Sequence, residues 1–161
     1  MSHHSVPGLS PEQSKEVIDH LEGRLVATID LQLVLKHIHW NVVGMNFIAV
    51  HEMLDEHVEA VRAMTDEIAE RISTLGGEPN GTPGSVVANR SWDDYALGKA
   101  SVVDHLDALD SVYDGVIGDH RTAMKAVAEI DPITEDLFIA QIAKLELYQW
   151  FVRSHLENAG A

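Results

Sequence analysis

The chain has 161 residues, no cysteine and a net charge of −15, from 26 Asp and Glu against 11 Lys and Arg. That length suits one domain with a sizeable core. The missing cysteine excludes a disulfide framework, a thiol nucleophile and a thiolate metal site. Without clustered cations to neutralise phosphates, composition argues against a nucleic-acid surface. Acidity means solubility by default, and beyond that an attraction for metal cations.

Residues 1–9 carry no Lys or Arg and no long apolar run, so no signal peptide is expected there. No window approaches the roughly 18 apolar residues of a membrane span, and a cytoplasmic setting is expected. The expected division is a tail over 1–9, one domain over 10–158 and a short end over 159–161.

Ser10-Pro11-Glu12-Gln13 reads as a helix start, with a capping Ser, Pro at the first helical position and Gln13 closing a capping box. Apolar residues then recur with helical period through Val17, Leu21, Leu25, Ile29 and Leu35. This helix is expected to reach about Trp40 and to stop near Gly44. Asn46 is placed to cap a second helix over about Phe47 to Leu75, ended by Gly76-Gly77. Pro79, Gly81, Pro83 and Gly84 mark Glu78 to Arg90 as loop. Ser91 to Leu97 reads as a short helix, and Lys99 to Ala128 as a third long one. Asp131-Pro132 marks a turn, and Ile133 to Glu157 is a fourth helix, apolar nearly all round and so expected to be buried on more than one side. Four long helices, with a long connection between the second and third, predict an all-α, ferritin-like four-helix bundle with a short helix in that connection.

The second helix carries the chemistry. His51, Asp55, Asp66 and Glu70 share one broad helix face, and His39 ends the helix before. Imidazole and carboxylate together suit Fe, Zn or Mn. Yet His51 and Asp66 are fifteen positions apart, about 22 Å of helix rise, while ligands lie about 2 Å from a metal. The His and Asp/Glu pairs of one chain therefore cannot share an ion. Either they are unrelated surface groups, with Arg62 and Arg71 as ion-pair partners for the carboxylates, or a two-fold partner unites them into two equal sites. Asp55, one turn from His51, is a further ligand or an orienting group for imidazole. The remaining histidines, His20, His37, His57, His105, His120 and His155, read as structural or solvated.

The stretch His39-Trp40-Asn41-Val42-Val43-Gly44-Met45-Asn46-Phe47 resembles the signature of the Dps family of mini-ferritins. His51, Asp55, Asp66 and Glu70 follow at the family's spacing, and Gln149-Trp150-Phe151 with Leu156-Glu157 is similar to its last helix. The resemblance spans about residues 10–158. It implies a hollow homo-dodecamer that takes Fe(II) at His39 and His51 of one subunit and Asp66 and Glu70 of another, with Asp55 in support. It implies oxidation by hydrogen peroxide in preference to dioxygen, storage of Fe(III) mineral and protection of DNA. It also implies that Trp40, beside the site, takes up stray oxidising equivalents. Acidic pores at a three-fold axis are a further implication, with Asp119, Glu129, Asp131 and Asp136 as candidate linings. Members that bind DNA often use a Lys/Arg-rich tail; here the N-terminal tail offers His3 and His4 instead. A nucleoid-binding structural protein and a bundle holding a structural metal are the competing readings.

Overall fold

In the computed structural model, residues 6–157 are described. The elements run α1 (Pro11–Asn41), β1 (Val42–Val43), α2 (Phe47–Thr74), α3 (Pro83–Asn89), β2 (Ala100–Ser101), α4 (Val102–Val127) and α5 (Pro132–Leu156). The four long helices form the bundle: α1 packs on α2, α4 on α5, and α1 joins the two pairs through α4. No helix among the described residues is long and apolar enough to cross a membrane.

The ends of α1 and α2 follow from local chemistry. Ser10 Oγ accepts from the Gln13 amide while the Gln13 side chain accepts from the Ser10 amide, which is the anticipated capping box. At the far end of α2, the Gly77 amide donates to the Ile72 carbonyl and the Gly76 amide to the Ser73 carbonyl. This is a Schellman closure, with Gly76 in the left-handed region at φ 89°. Between α1 and α2 the outcome differs from expectation. Gly44 does not cap α1; a two-residue strand comes first, and Val42 and Val43 pair in parallel with Ala100 and Ser101. Asn46 holds the N-cap position in the left-handed region without a side-chain cap bond.

The short helix in the long connection exists, but over Pro83–Asn89 and not over Ser91 to Leu97. Pro83 is a first-turn residue and starts a helix where it was expected to break one. Residues 91–97 stay irregular because their polar groups serve other elements. Arg90 spans Asp30 and Asp94, the Tyr95 hydroxyl meets His105, and the Leu97 carbonyl accepts from His37.

The bundle interior is mainly Leu, Val and Ile, joined by Tyr113 and Phe138. Within one chain α5 buries a single side, including Phe138, Leu145 and Val152, and leaves Ile133, Ile139, Leu147 and Trp150 exposed. Burial on several sides is therefore not achieved by the single chain. Val6 and Leu9, within the expected tail, pack against the core; residues 1–5 and 158–161 lie outside the described residues.

Three histidines are fully buried in this core: His57, His105 and His120. Tyr113 Oη lies 2.8 Å from His57 Nδ1, and His120 donates from Nδ1 to the Val116 carbonyl at 3.2 Å. Burial lowers the pKa of His57 to about 3 and that of His120 to about 4. Both fold as neutral rings, so the unfolded chain takes up protons first as pH falls below about 6.5. Stability is thus complete above that pH and is lost from about 6.5 down towards 3 to 4. Thermal melts should fall steeply over this window, and the His57→Phe/Tyr113→Phe variant should show a shallower slope. A second expectation concerns the buried Asp30 carboxylate, held by Arg90 at 2.9 Å. Arg90→Met leaves that charge unpaired and should cost about 3–5 kcal/mol in denaturant unfolding.

Candidate metal-binding half-sites

The turn between α1 and α2 brings the last turn of one helix against the first turn of the next. Gly44, at φ 102°, and Asn46, at φ 63°, reverse the chain within a few residues, and the Phe47 amide donates to the Gly44 carbonyl at 3.2 Å. His39 and His51 meet there, with ring centroids 3.6 Å apart and planes 20° from parallel. The bonding between them is reciprocal. His39 Nδ1 donates to the His51 carbonyl at 2.8 Å, and His51 Nδ1 donates to the His39 carbonyl at 2.9 Å. A carbonyl only accepts, so each Nδ1 carries the proton and each Nε2 keeps its lone pair. Tautomer and ring orientation are thereby set as a metal ligand requires. His39 is buried, His51 half-buried, and Phe47 packs on His51 with centroids 5.1 Å apart.

Asp55, one turn along α2, reaches the same cluster. Its Oδ1 accepts from Lys36 Nζ at 2.9 Å and lies 3.5 Å from His39 Nδ1. The Lys36 hydrogen bond holds the Asp55 carboxyl below its ordinary range, aided by the nearby imidazoles. Sequence reasoning missed Lys36. Its signal was available: it precedes Trp40 by four residues, one helix turn, and its ammonium sits 5.9 Å from the Trp40 ring centre. Trp40 itself is exposed.

Asp66 and Glu70 sit one turn apart on the exposed side of α2. The expected arginine partners are engaged elsewhere. Arg62 pairs with Glu59 at 3.0 Å and Arg71 with Asp131 at 2.6 Å. No ion pair among the described residues includes Asp66 or Glu70. Two neighbouring carboxylates without a cation form a negative spot suited to a hard or borderline metal ion.

The chain does not bring its imidazoles and these carboxylates together. Among the described residues, no three His, Asp or Glu side chains gather as a group able to hold a metal. His51 and Asp66 lie fifteen positions apart on one continuous helix, about 22 Å of rise. One chain thus presents a nitrogen-rich half at one end of α2 and an oxygen-rich half towards the other.

The four pore candidates differ from one another. Glu129 and Asp136 are exposed. Asp119 lies 3.5 Å from Arg24. Asp131 is buried and bound to both Arg71 and Thr134, which makes it a fastening between α2 and the start of α5 and removes it from contact with a passing cation.

Replacing Lys36 with Met should move the Asp55 carboxyl titration upward, readable from the side-chain carbon shift in a labelled protein. An unchanged titration would show that Lys36 does not set that charge.

The chain matches the ferritin-like domain family over residues 18–160. The DNA protection during starvation protein of Mycolicibacterium smegmatis is 51% identical over 160 residues, covering 99% of this chain and 87% of the relative. Among solved structures, the tetragonal form of Mycobacterium smegmatis Dps superposes with a TM-score of 0.96 at 51% identity, covering 100% of this chain and 98% of that one. DpsA14 from Streptomyces coelicolor does so with a TM-score of 0.94 at 54% identity, covering 98% and 94% of the two chains.

Proposed function

The chain belongs to the ferritin-like Dps family, and on that premise we propose that it oxidises Fe(II) at sites shared between subunits and stores the product. One observation carries the reading: the reciprocal His39/His51 bonds leave two oriented Nε2 lone pairs at a site that a single chain leaves short of anionic ligands. Fe(II) is the substrate. His39 and His51 of one chain supply neutral nitrogen, while Asp66 and Glu70 of a second copy supply anionic oxygen. Two copies of α2 packed antiparallel about a two-fold axis complete two equal sites at once. Asp55 steadies the imidazole pair with Lys36, or adds a carboxylate ligand.

The carboxylates do most for the redox step. They balance the dication and stabilise the harder Fe(III) more than Fe(II). Hydrogen peroxide is the preferred oxidant and dioxygen the slower one. One peroxide takes one electron from each of two Fe(II) ions and, with two protons, leaves as two waters. No hydroxyl radical is released. Fe(III) then collects as mineral within a hollow homo-dodecamer in the cytoplasm, and iron enters past exposed acidic residues such as Glu129 and Asp136.

DNA is protected in this reading by removal of iron and peroxide. A net charge of −15 per chain opposes close approach to phosphate. Tight retention of duplex DNA in a gel-shift assay at physiological salt would favour the nucleoid-binding alternative.

Stopped-flow Fe(II) oxidation tests the site. His51→Ala and Asp66→Asn should each remove the peroxide-driven phase, and Asp55→Ala should slow it about 10- to 100-fold, as for loss of a group that orients a ligand. The shared site has its own signature. A His39→Ala/His51→Ala variant and an Asp66→Asn/Glu70→Gln variant should each be inactive, yet regain part of the rate when unfolded together and reassembled. Mixed particles of confirmed composition with no recovery would count against ligation across the interface.

A further inference from the structure

We propose that Tyr95 and His105 form a proton-coupled redox pair that takes up stray one-electron oxidising equivalents, a role that rests on the iron-oxidising reading above. The irregular 91–97 segment holds Tyr95 between α1 and α4. The Tyr95 hydroxyl lies 2.9 Å from His105 Nδ1 and 3.4 Å from the His105 carbonyl. The closer acceptor takes the phenolic hydrogen. The two rings stack at 5.9 Å with planes 9° apart, so the geometry is held by packing as well as by the hydrogen bond.

The surroundings suit transfer of a proton with an electron. His105 is fully buried, which lowers its pKa and keeps the ring neutral at rest. The backbone carbonyls of Asn41 and Gly98 beside the ring favour its protonated form. With Nδ1 accepting from tyrosine, the ring proton sits on Nε2. Burial raises the pKa of Tyr95, so it remains a phenol until oxidised. A phenol that loses an electron becomes a strong acid, and a neutral imidazole in contact gives its proton a destination.

The pair also has a connection to the iron half-site. His37 meets Tyr95 edge-on with centroids 5.7 Å apart. His37 lies two residues before His39 and so on the other side of α1, but Trp40, three residues after His37 and next to His39, shares its side of the helix. Exposed Trp40 and Tyr95 border the same groove of about 670 Å³. A second tyrosine–histidine pair, Tyr113 with His57, lies deeper, packed with Tyr148 and Phe151, and serves as an internal control.

The chemistry balances. When a singly loaded site reduces peroxide by one electron, the products are Fe(III), hydroxide and hydroxyl radical. Tyr95 supplies one electron to that radical, which becomes hydroxide, and the phenolic proton passes to His105 Nδ1. The pair is then a neutral tyrosyl radical beside an imidazolium. A further Fe(II) returns one electron, the proton moves back, and Fe(III) is formed.

The experiment first uses the assembled, iron-free protein, oxidised by photogenerated ruthenium(III) tris-bipyridine, with the radical read by electron paramagnetic resonance. The chain has three tyrosines, so Tyr113→Phe/Tyr148→Phe isolates Tyr95. The tyrosyl signal should persist in that variant, be lost in Tyr95→Phe, and form more slowly in deuterated water and in His105→Phe. A signal unchanged in Tyr95→Phe, or a formation rate indifferent to His105 and to deuterium, overturns the pair. If Tyr95→Phe does not assemble, fluorotyrosine in the Tyr113→Phe/Tyr148→Phe protein gives the same assignment through its altered hyperfine splitting.

The second arm adds substoichiometric Fe(II) and peroxide and traps hydroxyl radical with a spin trap. Tyr95→Phe should release more trapped radical per peroxide consumed. Equal yields in the two proteins overturn the protective role. A ruthenium-driven Tyr95 radical in a protein that does not accelerate Fe(II) oxidation would uphold the pair and sink the ferroxidase reading.

Discussion

The register between α1 and α2 is set at the turn where His39 and His51 exchange hydrogen bonds with each other's carbonyls. That exchange joins the last turn of one helix to the first turn of the next through side chains, where neither helix could supply the partner alone. The parallel bridge from Val42–Val43 to Ala100–Ser101 ties the same turn to the start of α4. Three of the four long helices therefore take their relative positions from a few residues around Gly44. The same bonds orient the imidazoles, so the contact that fastens the turn also fixes the tautomer of both rings.

Helix geometry imposes the second constraint. A continuous α2 cannot fold back to bring its own carboxylates to its own imidazoles. The nitrogen half and the oxygen half remain apart in each chain, and chemistry that needs both becomes conditional on association. Asp66 and Glu70 are left without arginine partners because Arg62 and Arg71 are directed to Glu59 and Asp131. The exposed apolar side chains of α5, Ile139, Leu147 and Trp150 among them, show how much of this chain's hydrophobic surface remains uncovered within one chain.

The core has a different character. It admits imidazole rings that are neutral by virtue of burial and joined to tyrosine or backbone partners. Protonating His57 or His120 would place charge in a medium that solvates it poorly. His105 belongs to the same class but faces the irregular segment, where Tyr95 approaches it. Similar pairs in different surroundings thus differ in what can reach them: Tyr113 is enclosed, while Tyr95 borders a groove shared with Trp40.

Much was determined by sequence alone, because it depends on neighbours in the chain. The capping box at Ser10, the stripe along α1, the Gly76 closure and the separation of the His pair from the Asp/Glu pair are all consequences of spacing within a helix. The His39 to Phe47 signature added the family. Other features were decided only by tertiary structure. Residues 91–97 are irregular where a helix is expected, because Tyr95 and Leu97 find their partners His105 and His37 on α4 and α1. Pro83 was misread as a breaker because whether proline starts or stops a helix depends on the conformation of the residue before it. Asp131 is a candidate pore residue by its charge and its place in the turn after the third long helix, but its carboxylate is held by Arg71 and Thr134. The proton positions on His39 and His51 follow the same rule: residue type supplies the imidazole, but only the carbonyl opposite each Nδ1 decides which nitrogen is left to bind.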